Sequence, residues 1–246
     1  MTDERLRADA RPEVSDAATV SEQTARPRPG RLGREGLIAK FNQAVRRPAD
    51  HGGLSVLPLL LDLIAEASRL TEGTVWIPDG HERLSTAPLV RDHFADPAIH
   101  VTASQYGEDA YRHSWLHLDR PLTAADHSVL LDRAPAWADT DRTVHDVLDA
   151  FGPASVTFGD PEPHRAKTLG YGCGDAKAPF VVFHFAPAAD EPAATQAPST
   201  LAAAPLLAVR NVYGGYLDLQ LTPYGRAVCW PDRERNPRTR LDMLPR

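Results

Sequence analysis

Apolar side chains recur at helical spacing in three stretches of the chain and at strand spacing through much of the remainder. Leu37, Ile38, Phe41 and Val45 predict a short amphipathic helix that stops before Pro48. A second helix is expected from about 55 to 70, with Ser55 as its cap and Pro58 near the first turn, where a missing N–H costs least. Its apolar stripe is Leu57, Leu60, Leu61 and Ile64. Val144, Val147, Leu148 and Phe151 fall at i, i+3, i+4 and i+7, the clearest helical signal in the chain. Thr140 or Asp141 is the expected cap of that helix, and Gly152-Pro153 its stop. A connecting helix should begin at Thr123, where Thr-x-x-Asp supplies both halves of a capping box.

Strand-like segments are expected at 74–77, 98–103 and 110–118 in the first half. In the second half they are expected at 155–158, 166–171, 180–185, 206–212, 216–221 and 226–230. Short spacing and Gly/Pro turns make the latter set an antiparallel meander. The fold class is therefore α+β, with helices packed on one face of a mainly antiparallel sheet. Helix 55–70 leads into Thr-Val-Trp-Ile-Pro-Asp-Gly, and helix 141–151 into Ser-Val-Thr-Phe-Gly-Asp-Pro, so two similar α-β-β-β lobes are one reading and short chance similarity the other.

Residues 1–34 mix acidic and basic groups with Pro and Ala and lack an apolar period, the pattern of a disordered tail. The domain plan is then an N-terminal α+β lobe over 35–122, a C-terminal helix-plus-meander lobe over 123–232, and a frayed tail over 233–246. The stretch 186–204, rich in Ala and Pro, is expected to be an exposed loop.

Composition narrows the function classes. A net charge of −6 disfavours general nucleic-acid binding and suits a more basic protein partner. Two cysteines, Cys173 and Cys229, are too few for a disulfide framework, and the first residues lack a signal-peptide core. No apolar run is long enough for a membrane span, so the expected compartment is the cytoplasm. Heavy use of Ala, Arg, Asp and Pro with scarce Lys and Ile suggests a bacterial genome of high GC content.

The densest group of ligand-type side chains is His113, His117 and Asp119. On a strand they would share a face with Trp115, and His117 with Asp119 could meet one divalent metal ion; the competing reading is a polar strand face. His184, within Val-Val-Phe-His-Phe, is either a hydrogen-bonded core residue or a pocket residue with a shifted pKa, and it is the single candidate catalytic histidine. Trp76, Trp115, Tyr213 and Tyr216 are candidate anchors for a protein partner. Neither glycine-rich piece, at 170–175 or 213–216, stands between a strand and a helix as a phosphate loop must. No cofactor is expected.

Three functions follow. The first is a cytosolic binding or interaction protein that regulates or neutralises a more basic partner. The second is a metal-assisted hydrolase using His113, His117 and Asp119 with His184. The third is a small-molecule-binding protein of a biosynthetic cluster, which requires a pocket beside Trp115 or His184.

Overall fold

The structure, a computed structural model, describes residues 32–70, 99–188, 203–211 and 219–229. The expectations for the two chain ends, for strand 74–77, for the body of the 186–204 loop and for Trp76, Tyr213 and Tyr216 lie outside those residues.

Helix α1 (Arg34–Arg46) buries Leu37, Ile38, Phe41 and Val45, the stripe its spacing predicts. A 3-10 turn (Pro48–His51) reverses the chain into α2 (Val56–Ala67), which buries Leu57, Leu60, Leu61 and Ile64. Helix α3 (Ile99–Arg112) follows, then α4 (Ala124–Trp137) and α5 (Val144–Phe151). Five strands come next in an order that matches the sequence: β1 (Val156–Gly159), β2 (Lys167–Tyr171), β3 (Val181–Phe185), β4 (Leu206–Arg210) and β5 (Gln220–Leu221). Every neighbouring pair is antiparallel. A short helix α6 (Pro223–Cys229) closes the described chain. The class is α+β with an antiparallel meander.

The helices cover both faces of the sheet, not one. Val182 of β3 joins a core with α1, α2 and α3, together with Val156, Phe158 and Phe180. Its neighbours Val181, Phe183 and Phe185 point the other way, into a core with Leu130 and Ala134 of α4 and Val144 and Val147 of α5. Alternation across the pleat puts both sets inside, which explains why all five β3 residues are buried. Helices before residue 122 and strands after it therefore share one core.

Three elements differ from the sequence reading. The segments 98–103 and 110–118 are not strands: α3 spans Ile99–Arg112, and Ser114 turns the chain out of it with φ 57°. Ile99, Val101 and Thr102 favour strands locally, but tertiary packing overrides so weak a preference. Gly107, a poor helix former, lets α3 approach the sheet, since a Cβ there would lie 2.5 Å from Phe158 Cε1. Beyond Ser114 the chain is pinned to α1. Asn42 donates to Trp115 O at 2.7 Å and accepts from His117 N at 2.7 Å.

The cap of α5 is Thr143, not Thr140 or Asp141. Its side chain and that of Asp146 form a reciprocal capping box. Segment 226–230, expected as a strand, falls largely within helix α6, which Pro223 opens. Thr222 Oγ1 accepts from Gly225 N at 2.9 Å and donates to Leu206 O at 2.7 Å, so one hydroxyl caps the helix and ties it to β4.

Helix α6 rests directly on the β4 backbone. A Cβ on Gly225 would lie 2.0 Å from Leu207 O. Gly225→Ala should therefore push α6 off the sheet and lower the unfolding free energy by roughly 1–3 kcal/mol in urea titrations. An unchanged midpoint would contradict this packing.

Candidate functional site

Polar side chains recur along the sheet-facing side of α3 at His100, Ser104 and Glu108, one turn apart, and all three are buried. Opposite them, the sheet presents Thr168, His184 and Arg210 on one face. The register sets Thr168 beside His184, and Val182 beside Arg210. An irregularity in the β3–β4 pairing falls between His184 and Phe185, next to this group.

The contacts form two linked sets. His100 Nδ1 lies 2.8 Å from Thr168 Oγ1, and the same oxygen lies 2.8 Å from His184 Nδ1. Further along α3, Glu108 forms an ion pair with Arg210 and a second with Arg112 at 3.2 Å. Arg112 also approaches Asp109 at 3.9 Å. Arg210 is 2% exposed and Glu108 3%, so this pair is held out of water. Burial, then the Arg210 charge and then His100, hold His184 well below the usual histidine range. Burial, then the Lys167 charge, bring His100 down to about 3. Both rings are neutral at physiological pH.

His100 is also part of a cavity wall. A cavity of about 490 Å³ lies between the 3-10 turn, the start of α3 and the β1–β2 connection. Among the described residues, its charged lining is Arg47, Asp50, Asp160 and Glu162. Gly159, at φ +97°, lets the β1 end pass His100, because a Cβ there would lie 3.0 Å from His100 Cβ. Lys167 donates from Nζ to Glu162 O, which braces the connection from the sheet side. Burial brings Lys167 down to about 8, against the opposing pull of Asp160 and Glu162. A second cavity, of about 500 Å³, lies against α4, β5 and α6 and includes none of these groups in its lining.

The residues singled out from sequence fare unevenly. His184 is buried and hydrogen-bonded, the first of the two places expected for it, and it is joined to the cavity wall through Thr168. His113, His117 and Asp119 do not share a strand face. His113 is exposed just after α3, with Nδ1 2.8 Å from Asp109 O and its ring 4.7 Å from that of Trp115. Asp119 pairs with Arg46 at 2.9 Å, while His117 is held through its backbone by Asn42 and Arg46. Among the described residues, no group of three or more His, Cys, Asp or Glu side chains could hold a metal ion. Trp115 is 2% exposed, so it belongs to the core and is not a surface anchor. Sequence reasoning missed His100, Thr168, Glu108 and Arg210. Reading 98–103 as a strand hid the helical spacing of positions 100, 104 and 108, which was the available signal.

Compared with protein-family models, curated proteins and solved structures, the chain finds no match.

Proposed function

We propose that the protein binds a small cationic organic molecule in the cavity beside His100. The observation that carries this reading is the cavity wall itself. Among the described residues, a neutral, buried histidine hydrogen-bonded to Thr168 stands with the carboxylates of Asp50, Asp160 and Glu162 against the guanidinium of Arg47 and, behind the wall, the Lys167 ammonium. That balance favours a positive ligand, and the volume of about 490 Å³ is within the usual size of a ligand site. The two cysteines are free, which suits the reducing cytoplasm.

Ala166 lines the same cavity. Calorimetric titration with a panel of primary amines and quaternary ammonium ions should show saturable binding to the native protein. Ala166→Trp should abolish it while leaving the far-UV circular dichroism unchanged. Equal heats for both proteins, or none from any member of the panel, would rule this site out.

A second reading, docking of a protein partner, is favoured by α2. Leu59 is 62% exposed and Leu63 41%, one turn apart on the same helix face. Co-purification that survives Leu59→Lys with Leu63→Lys would count against that surface.

Among the described residues, no helix is long and apolar enough to cross a membrane.

A further inference from the structure

A smaller cavity, of about 180 Å³, is formed by α4, the end of α5 and the segment that leads into α4. Leu122, Leu130 and Phe151 give it an apolar lining, and Arg120 and Arg133 line it too. Each guanidinium is held by a different device. Arg133 lies over the Phe151 ring, 5.2 Å from its centre. That ring is fixed in turn by Trp137, Phe183 and Tyr171, whose rings lie 4.8, 5.6 and 6.4 Å away. Arg120 donates from Nη1 to Pro153 O at 2.9 Å. It rests against the backbone where α5 ends: Gly152 has φ +75°, and a Cβ there would lie 2.8 Å from Nη1. Both cationic head groups are thereby placed on three consecutive residues, Phe151, Gly152 and Pro153.

Like charges gathered in this way repel one another, and an anion beside them relieves the repulsion. Among the described residues, neither guanidinium has an ion-pair partner. The carboxylate in the same lining, Asp126, is turned to its own helix cap, where its Oδ2 accepts from Thr123 Oγ1 at 2.7 Å. Arg120 spends one of its five N–H donors on Pro153, and Arg133 meets the protein through the face of its planar group. Both keep donors in the forked geometry that matches a carboxylate.

We propose that this cavity binds a small monocarboxylate, its anionic end at Arg120 and Arg133 and its apolar body against Leu122 and Leu130. The volume is below that of sites for drug-sized ligands, so the body is limited to one ring or a short chain. The chain as a whole carries a net charge of −6. An anion therefore gains nothing from the overall field, and its binding reports the local pair of arginines. This site is independent of the cavity beside His100.

Titration of ¹⁵N-labelled full-length protein with sodium benzoate, followed through the amide shifts, should saturate with a Kd of about 1 mM. The largest shifts are expected at Arg133, Phe151 and Gly152. Benzamide, which keeps the ring and loses the charge, should bind at least about tenfold more weakly, and so should acetate, which keeps the charge and loses the ring. Arg133→Met retains an apolar stem over Phe151 and should weaken benzoate about tenfold. Arg120→Met should act in the same direction. Ala166→Trp, which fills the cavity beside His100, should leave the titration unchanged. Benzamide binding as tightly as benzoate, a titration indifferent to Arg133→Met, loss of binding in Ala166→Trp, or no saturable shift at all would each overturn the proposal. Should Arg133→Met fail to fold, the comparison of benzoate with benzamide on native protein remains decisive.

Discussion

Glu108→Ala should lower the unfolding free energy by about 3–5 kcal/mol, the largest loss expected from any single change described for this protein. The carboxylate lies between Arg210 and Arg112, and its removal leaves the Arg210 guanidinium, 2% exposed, without its ion-pair partner on α3. The cost arises mainly from leaving a buried cation short of this carboxylate, because Coulomb attraction within a buried pair is largely offset by desolvation. Glu108→Leu combined with Arg210→Met should therefore recover most of the loss. Urea titrations of the two single variants and the double variant would measure the coupling directly. A loss below about 1 kcal/mol in both single variants would show that the pair is not held out of water as the structure has it.

Mild acid should destabilise the protein before its carboxylates titrate. His100 and His184 are neutral when folded, and both are held below the ordinary histidine pKa by burial and neighbouring positive charge. In the unfolded chain each takes up a proton near pH 6.5. Between that value and the folded pKa, about 3 for His100, the unfolded state binds more protons. Stability is then complete above pH 6.5 and falls as the pH drops through this window, by up to about 1.4 kcal/mol per unit for each histidine. The groups that set the local field are Lys167 and Arg210, with Glu108 paired to Arg210. From pH 6.5 to 4.5 His100 alone would remove about 2 kcal/mol, and His184 adds to that loss. Urea midpoints measured between pH 5 and 6.5 isolate this effect, since ordinary carboxylates titrate lower. His184→Asn should reduce the slope there by about half. A slope unaffected by that variant would place the acid sensitivity elsewhere.

Both predictions concern groups that are inconspicuous in the sequence. Glu108 falls between two segments whose local pattern reads as strand, and Arg210 inside a third. Only the packing of α3 across β1 and β2 removes them from water. His184 is the exception. A lone histidine in Val-Val-Phe-His-Phe reads as either a hydrogen-bonded core residue or a pocket residue, and both readings mark it out in the sequence.

Period and capping chemistry by themselves determined the α+β class, the boundaries of α1 and α2 and the start of α4 to within a few residues, and the antiparallel meander of the later strands. These signals are local. A helix shows its buried stripe every three or four residues, and a hairpin is set by the turn between its strands. The Thr-x-x-Asp signal at Thr123 acts within a single turn of chain, and the structure keeps its N-cap half, with Asp126 N donating to Thr123 Oγ1 at 3.1 Å. The tertiary structure alone decided that helices cover both sheet faces, that Ile99–Arg112 is a helix despite its β-branched start, and that His113, His117 and Asp119 part company. It alone brought His100 to Thr168, 68 positions later, and so joined a cavity wall to the centre of the sheet. Such contacts depend on which surfaces the elements bury against one another, and no window along the chain records that choice.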